Sequence, residues 1–380
     1  MLGFVFSLPY VVLFYVVWLV HSLLKPLLAV TLVCVLSNPA AAWSKVQLFI
    51  NTVTYLALCN DKSWKKPQAD PAFFFPENDN NSSNSTSNDN NVQSKTIIFV
   101  RHGESTWNDT FNKGDRGTAQ FLKNFIPNLV SAAATEWYFW VSGQANESWF
   151  YDAPLSNKGR EQAEGVYNFL QSDLQYMTPK EASFLRLLTG HDKNGKLSVA
   201  GSPPAAQLVV SNLRRAISTM AIGFGDRLNL KLPNDKILIL PDLQEISRNP
   251  DALSITAPHG KVLAAYTDPV SIHGILEHQV DTSKHTGNKP VDTNGLKRMQ
   301  SFCQCVFEDI EKDAVVAAGH SLWFRSFFRT YLPATTEHIA KKKKIVNGGT
   351  VGFTLKRITV DGTNHYMIDP TSITVLHGGF

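Results

Sequence analysis

The sequence predicts an α/β fold, a three-layer αβα sandwich around a mostly parallel central sheet, and three observations predict it. Short unbroken apolar runs at 96–100, 207–210, 236–240 and 314–318 read as strands buried on both faces. Segments with helical spacing of apolar residues, at 156–170, 213–224, 294–310 and 322–331, alternate with those runs. Each run also empties into polar, chemistry-bearing residues, and open α/β sheets bind their ligands at the carboxyl ends of their strands.

The chain has 380 residues, 43% hydrophobic and 18% charged, enough for one large domain with extensions. Residues 2–24 contain no Lys, Arg, Asp or Glu, and a second apolar stretch at 27–43 follows a break at Lys25-Pro26. A bilayer needs about 20 apolar residues, so 1–43 is expected to be a membrane anchor, as one span or a hairpin. The alternative is a cleaved secretory signal, with Ala40-Ala41-Ala42 before Trp43 as the small-residue site, or else a buried helix of a soluble protein. Lys45, Lys62, Lys65 and Lys66 follow the apolar region, which favours a cytosolic catalytic domain; a lumenal one goes with signal cleavage.

Residues 44–94 read as a linker whose Asn/Ser tract, 78–91, has nothing to bury; it holds sequons at Asn80, Asn81 and Asn84. Globular patterning runs over 95–380, with insertions near 109–151 and 249–290. The first is rich in aromatics (Trp137, Phe139, Trp140, Trp149, Phe150), expected to pack as a subdomain. The second carries His259, His273, His278 and His285 without metal spacing, so surface positions are expected.

A balance of 36 basic and 32 acidic residues gives no reason to expect nucleic acid. The run Lys341 to Lys344 is either a solvated loop or a contact for an acidic substrate or anionic lipid. Four cysteines form neither a disulfide framework nor a metal set.

Phosphoryl transfer through a histidine needs a neutral imidazole, cations around the phosphoryl oxygens and an acid for the leaving oxygen. His102, at the end of the first run and beside Arg101, is the nucleophile candidate. Its string Arg101-His102-Gly103-Glu104-Ser105-Thr106-Trp107-Asn108 resembles the signature of the histidine phosphatase superfamily, which includes cofactor-dependent phosphoglycerate mutases and many phosphomonoesterases. Three further motifs in the same order resemble it too: Ser211-Asn212-Leu213-Arg214-Arg215-Ala216, Leu243-Gln244-Glu245 and Gly319-His320-Ser321. The likeness covers 96–355 apart from the insertions and implies a phosphoglycerate mutase-like sandwich.

It further implies that His102 takes the phosphoryl group, that Arg101, Arg215 and His320 clamp it with help from Asn108, and that Glu245 supplies the proton, with Asp242 as substitute. No metal or organic cofactor is implied. Arg214 is expected as a surface charge on its helix, and Arg325 as an ion-pair or packing residue. Asp152 to Ala163 matches a structural motif in which Ser156 caps a helix and Gly159 permits close packing.

The function expected is phosphomonoester hydrolysis on a small phosphorylated substrate or a phosphoprotein, through a phosphohistidine. A phosphoglycerate mutase is the alternative, although such enzymes carry a Glu-Arg-His-Tyr-Gly type loop where this chain has Leu243-Gln244-Glu245-Ile246-Ser247-Arg248. A catalytically silent membrane-tethered scaffold is the other.

Overall fold

The structure, a computed structural model, describes residues 24–62, 69–75, 92–114, 116–144, 147–190 and 205–380, with Trp18 and Ser22. The Asn/Ser tract, its sequons and nearly all of the first apolar stretch lie outside the described residues. Two helices come first, α1 (Leu24–Ser37) and α2 (Pro39–Leu58). The sheet opens with β1 (Gln93–Arg101), followed by α3 (Thr106–Phe111), α4 (Thr118–Val141), α5 (Asn157–Leu170) and α6 (Pro179–Thr189). Then come β2 (Ala206–Val210), α7 (Arg214–Gly223), α8 (Gly225–Asn229), β3 (Ile237–Ile239), α9 (His273–His278) and β4 (Val280–Asp281). The chain closes through α10 (Gly295–Glu308), β5 (Ala314–Gly319), α11 (Ser321–Tyr331), β6 (Thr350–Val360), β7 (Thr363–Ile368) and β8 (Thr374–His377).

The sheet order is β4-β3-β2-β5-β1-β6-β7, with β8 also paired to β6. The strands from β4 to β1 run parallel, whereas β6 meets β1, β7 and β8 antiparallel. Alternate residues of β1 feed two separate cores, as the pleat requires. Ile97 and Phe99 join the core under α10 and α11, while Ile98 and Val100 join the one under α5 to α9. Helices thus cover both faces of the sheet. Phe99 stacks on Phe324 at 4.1 Å between ring centroids, which fixes α11 over the centre of the sheet.

Helix starts follow local chemistry. Ser156 accepts from the Gly159 amide at the start of α5, and Asn294 from the Lys297 amide at the start of α10. Gly103 and Gly159 sit at a close approach: a Cβ on Gly103 would overlap the Gly159 backbone, and one on Gly159 the Glu104 backbone. This close approach brings α5 against the loop after β1.

Three of the five aromatics expected to pack in the first insertion do so: Phe139 and Trp149 form a small core with Ala132, joined by Trp107, Phe111 and Phe150, while Trp137 reaches Thr31 of α1. In the second insertion His259, His273 and His278 are exposed, but His285 is fully buried, contrary to the surface position expected for it. Its Nδ1 accepts from the Gly287 amide, a tight turn that the sequence spacing does not reveal.

No single helix among the described residues is long and apolar enough to cross a membrane. The pair α1 and α2 passes that test only together, across a bend of 106°. Helix α2 runs through position 43, where the anchor was expected to end, and both helices rest on the rest of the chain. The Lys45 ammonium meets Glu136 at 2.9 Å, Trp137 donates to Thr31 Oγ1 at 3.1 Å, and Tyr55 and Cys59 pack on Leu253. Beyond α2, Asp61 is wholly buried against Lys289 and Arg298.

Candidate active site

Parallel registry assembles the centre. Arg101 of β1 pairs with Gly319 of β5, so the residues that follow each strand, His102 and His320, emerge side by side with ring centroids 4.9 Å apart. Val210 of β2 pairs with Ala318 and with Ile239 of β3. The turn carrying Arg215 and the loop carrying Glu245 therefore leave the same sheet edge, the edge where such sheets bind ligands.

His102 is held at several points. Its amide donates to the Gly319 carbonyl at 3.1 Å, and its own carbonyl accepts from Asn347 Nδ2 at 3.0 Å. Nδ1 contacts the Gly103 carbonyl, which can only accept, so the proton sits on Nδ1 and leaves Nε2 with its lone pair. Burial, reinforced by the charges of Arg215 and Arg101, pushes this imidazole well below the usual histidine range. A neutral imidazole with a free Nε2 is the protonation state a nucleophile requires.

Arg101 and Arg215 are each anchored by one nitrogen. Arg101 Nη1 donates to the Ile345 carbonyl at 2.6 Å, and Arg215 Nη1 donates to the Asp251 carbonyl at 2.7 Å, with the Asp251 carboxylate 3.4 Å away. The Nε atoms of both guanidiniums are buried without a protein partner, as is Nδ1 of His320, whose Nε2 lies 2.8 Å from Ser211 Oγ. Burial brings Arg101 down to about 10, Glu245 opposing and Arg215 adding to the shift. His320 is lowered well below its ordinary value by burial, then by Arg215 and His102. Buried polar atoms without partners are rare, and here two guanidinium donors and the His320 Nδ1, a donor when the Ser211 hydroxyl donates to Nε2, belong to the groups around one imidazole. That arrangement suits the oxygens of a phosphoryl group.

Glu245, 8% exposed, presents Oε1 to the Ile246 amide at 2.8 Å and to the Trp323 amide, in the first turn of α11, at 3.2 Å. Its charge acts on Arg101, so it belongs to the cluster. Asn108 is placed otherwise. In α3 its backbone N–H donates to Ser105 Oγ and its side-chain oxygen accepts from Asn112 at 2.6 Å; among the described residues no hydrogen bond joins it to the other five. Asp242 is turned away, accepting from Ser301 at 3.0 Å.

Arg214 is a correction. Instead of a surface charge it is 4% exposed, with Nη1 2.7 Å from Glu147 and its amide bonded to Asp152 Oδ1 at 2.7 Å. It ties the start of α7 to the first insertion. Among the described residues Arg325 makes no ion pair; with Arg329, Lys341 and Lys342 it lines an open cleft of about 720 Å³ whose walls include none of the clustered histidines. Among the described residues no group of His, Cys, Asp or Glu is placed to hold a metal ion.

The sequence reading missed Ser211, Asn347 as a brace for His102, and the buried trio Asp61, Lys289 and Arg298. Ser211 lies inside the motif at 211–216, so position alone could have drawn attention to it. The trio carries no local signal.

The depressed histidines give a sign for acid stability. Unfolded, His102 and His320 take up protons near pH 6.5; folded, they resist until well below it, so stability falls as pH drops through about 6.5 toward the depressed folded values. Thermal denaturation between about pH 7.5 and about pH 5.5 should show this loss, and His102→Ala should flatten it. An unchanged slope in that variant would mean His102 is not a buried neutral group.

No family model matches the chain, and no curated protein does. Solved structures do. It is 13% identical to mycobacterial hydrolase 1, over 73% of this chain and 97% of that one, with a TM-score of 0.32. A mycobacterial glucosyl-3-phosphoglycerate phosphatase with VO3 is 15% identical, over 72% and 97%, at a TM-score of 0.31. A phosphoglycerate mutase from Bacillus anthracis is 15% identical, over 74% and 94%, at 0.33. Likenesses at these identities and TM-scores carry no argument about activity, which has to come from the site itself.

Proposed function

We propose that this protein is a phosphomonoester hydrolase that works through a phosphohistidine on His102. The observation that carries the reading is a neutral, buried imidazole with its Nε2 free, beside two buried guanidinium Nε donors that have no protein acceptor and a second buried imidazole whose Nδ1 has no partner. Nε2 attacks phosphorus, the bond to the ester oxygen breaks, and its electron pair stays on the departing oxygen, which takes a proton from Glu245. Water, deprotonated by the Glu245 carboxylate, then attacks phosphorus, releases phosphate and returns Nε2 to its starting state. Arg101, Arg215 and His320 hold the phosphoryl oxygens, and Asn108 joins them only if α3 turns its amide toward the ligand.

A small phosphorylated substrate fits a centre in which His102 is 3% exposed and His320 fully buried; a phosphoprotein would have to present its ester on an extended segment. The mutase reading has no support from the loop at 243–248, where the Gln244 amide nitrogen is committed to Asn288 at 2.9 Å. Membrane attachment through the N-terminal segment is part of the proposal. Its support is the outward face of α2, where Trp43, Val46, Phe49, Ile50, Val53 and Leu56 are exposed at helical spacing.

Glu245→Gln tests the acid. Its Oε1 keeps the two backbone bonds, so the fold should hold. In kcat/KM, which reports transfer to His102 and not the later hydrolysis in which Glu245 also serves, the loss should be on the order of 10²-fold or more for esters with basic leaving groups and small for para-nitrophenyl phosphate. Equal loss across leaving groups would move the proton donor elsewhere.

A further inference from the structure

We infer that Asp61, delivered from the turn after α2, is a positioning residue for Glu245, acting through Lys289 and Arg298; this rests on the reading of Glu245 as the acid. Asp61 is 0% exposed, and its two oxygens are divided between two cations: Oδ1 lies 2.8 Å from Arg298 Nη2, and Oδ2 meets Lys289 Nζ. Lys289 is itself 1% exposed.

What those cations hold is the loop that carries the acid. Lys289 Nζ donates to the carbonyls of Glu245, at 2.8 Å, and Ser247. Arg298 Nη1 donates to the carbonyls of Gln244 and, at 3.3 Å, Asp242. Backbone carbonyls of an irregular buried loop need donors, and here those at four positions on and around Glu245 draw them from two side chains with a single shared counterion. The Lys289 amide also donates to Gln244 Oε1 at 2.8 Å, which closes the network.

All three ammonium hydrogens of Lys289 are thus committed, one to Asp61 and two to the loop. Without Asp61 a buried ammonium faces a buried guanidinium with no carboxylate between them. Such a lysine gives up its proton or draws in water, and the loop loses its register. Glu245 meets the departing oxygen only if its carboxyl is correctly placed, and a misplacement of about 1 Å can cost on the order of 10²-fold. A segment outside the phosphatase-like motifs would therefore set the geometry of the acid.

The test is the dependence of kcat/KM on leaving-group basicity across a series of aryl and alkyl phosphates, in the full chain. Asp61→Asn should lose on the order of 10²-fold on poor leaving groups and little on para-nitrophenyl phosphate, matching the pattern of Glu245→Gln. Asp61→Glu should recover part of the loss, and the double variant should be no worse than Glu245→Gln alone. If Asp61→Asn does not fold, Lys289→Met, which leaves Asp61 paired with Arg298, takes its place with the same expected selectivity. Uniform loss in these variants, with selective loss in Glu245→Gln, would make Asp61 merely structural and overturn the inference. If Glu245→Gln is itself unselective, the acid assignment fails first and the inference falls with it.

Discussion

His102→Ala should reduce turnover of para-nitrophenyl phosphate by about three orders of magnitude or more, the scale expected when the nucleophile of a concerted set is removed. The residues around it cannot substitute. His320 presents Nε2 to Ser211 at 2.8 Å, and Ser105 spends its hydroxyl capping α3. The fold should persist, because β1 and β5 pair through their backbones and the His102 amide still reaches Gly319. Rapid acid quench of the unaltered protein with a phosphorylated ester should trap an acid-labile, base-stable label on His102. Turnover within tenfold of the unaltered protein, or a label on another residue, would remove the phosphohistidine from the mechanism.

The centre was legible because its parts lie where strands end, and strand ends show in sequence. The runs 96–100 and 314–318 fall within β1 and β5, and once those strands are neighbours in parallel register, His102 and His320 must meet. Arg215 and Glu245 follow by the same logic from β2 and β3. Arg214 was misjudged because helical spacing says only which face a residue occupies. Its carboxylate partners, Glu147 near the end of the first insertion and Asp152 just after it, lie more than sixty residues away, and nothing local announces the pairing. The same holds for Asp61. An acid between Asn60 and Lys62, next to a low-complexity tract, looks like linker, and only the folded chain shows both its oxygens matched to buried cations. The antiparallel strands β6 to β8 lie outside the four short apolar runs, because strands covered on one face mix polar with apolar residues.

Starting the chain at Lys95 should be strongly destabilising, although the phosphatase-like motifs all lie beyond that point. The cut removes Asp61 and leaves Lys289 and Arg298 buried without a counterion, and losing one partner of a buried pair costs about 3–5 kcal/mol. It also takes away the Lys45 partner of Glu136 and the packing of Tyr55 and Cys59 on Leu253. A domain of this size should then melt on the order of 10 °C lower. A chain starting at Pro39 separates the contributions, since it drops the first apolar stretch and α1 but keeps α2 and Asp61. Its Tm should stay near that of the full chain, and Asp61→Asn in the full chain should fall between the two. Equal melting of the chains starting at Pro39 and at Lys95 would show that α2 and Asp61 rest on the domain without stabilising it. The N-terminal segment would then be a tether and nothing more. The expected gap places the boundary of the folding unit before α2, so that whatever α1 and α2 attach to is joined rigidly, through Asp61, to the loop that carries Glu245.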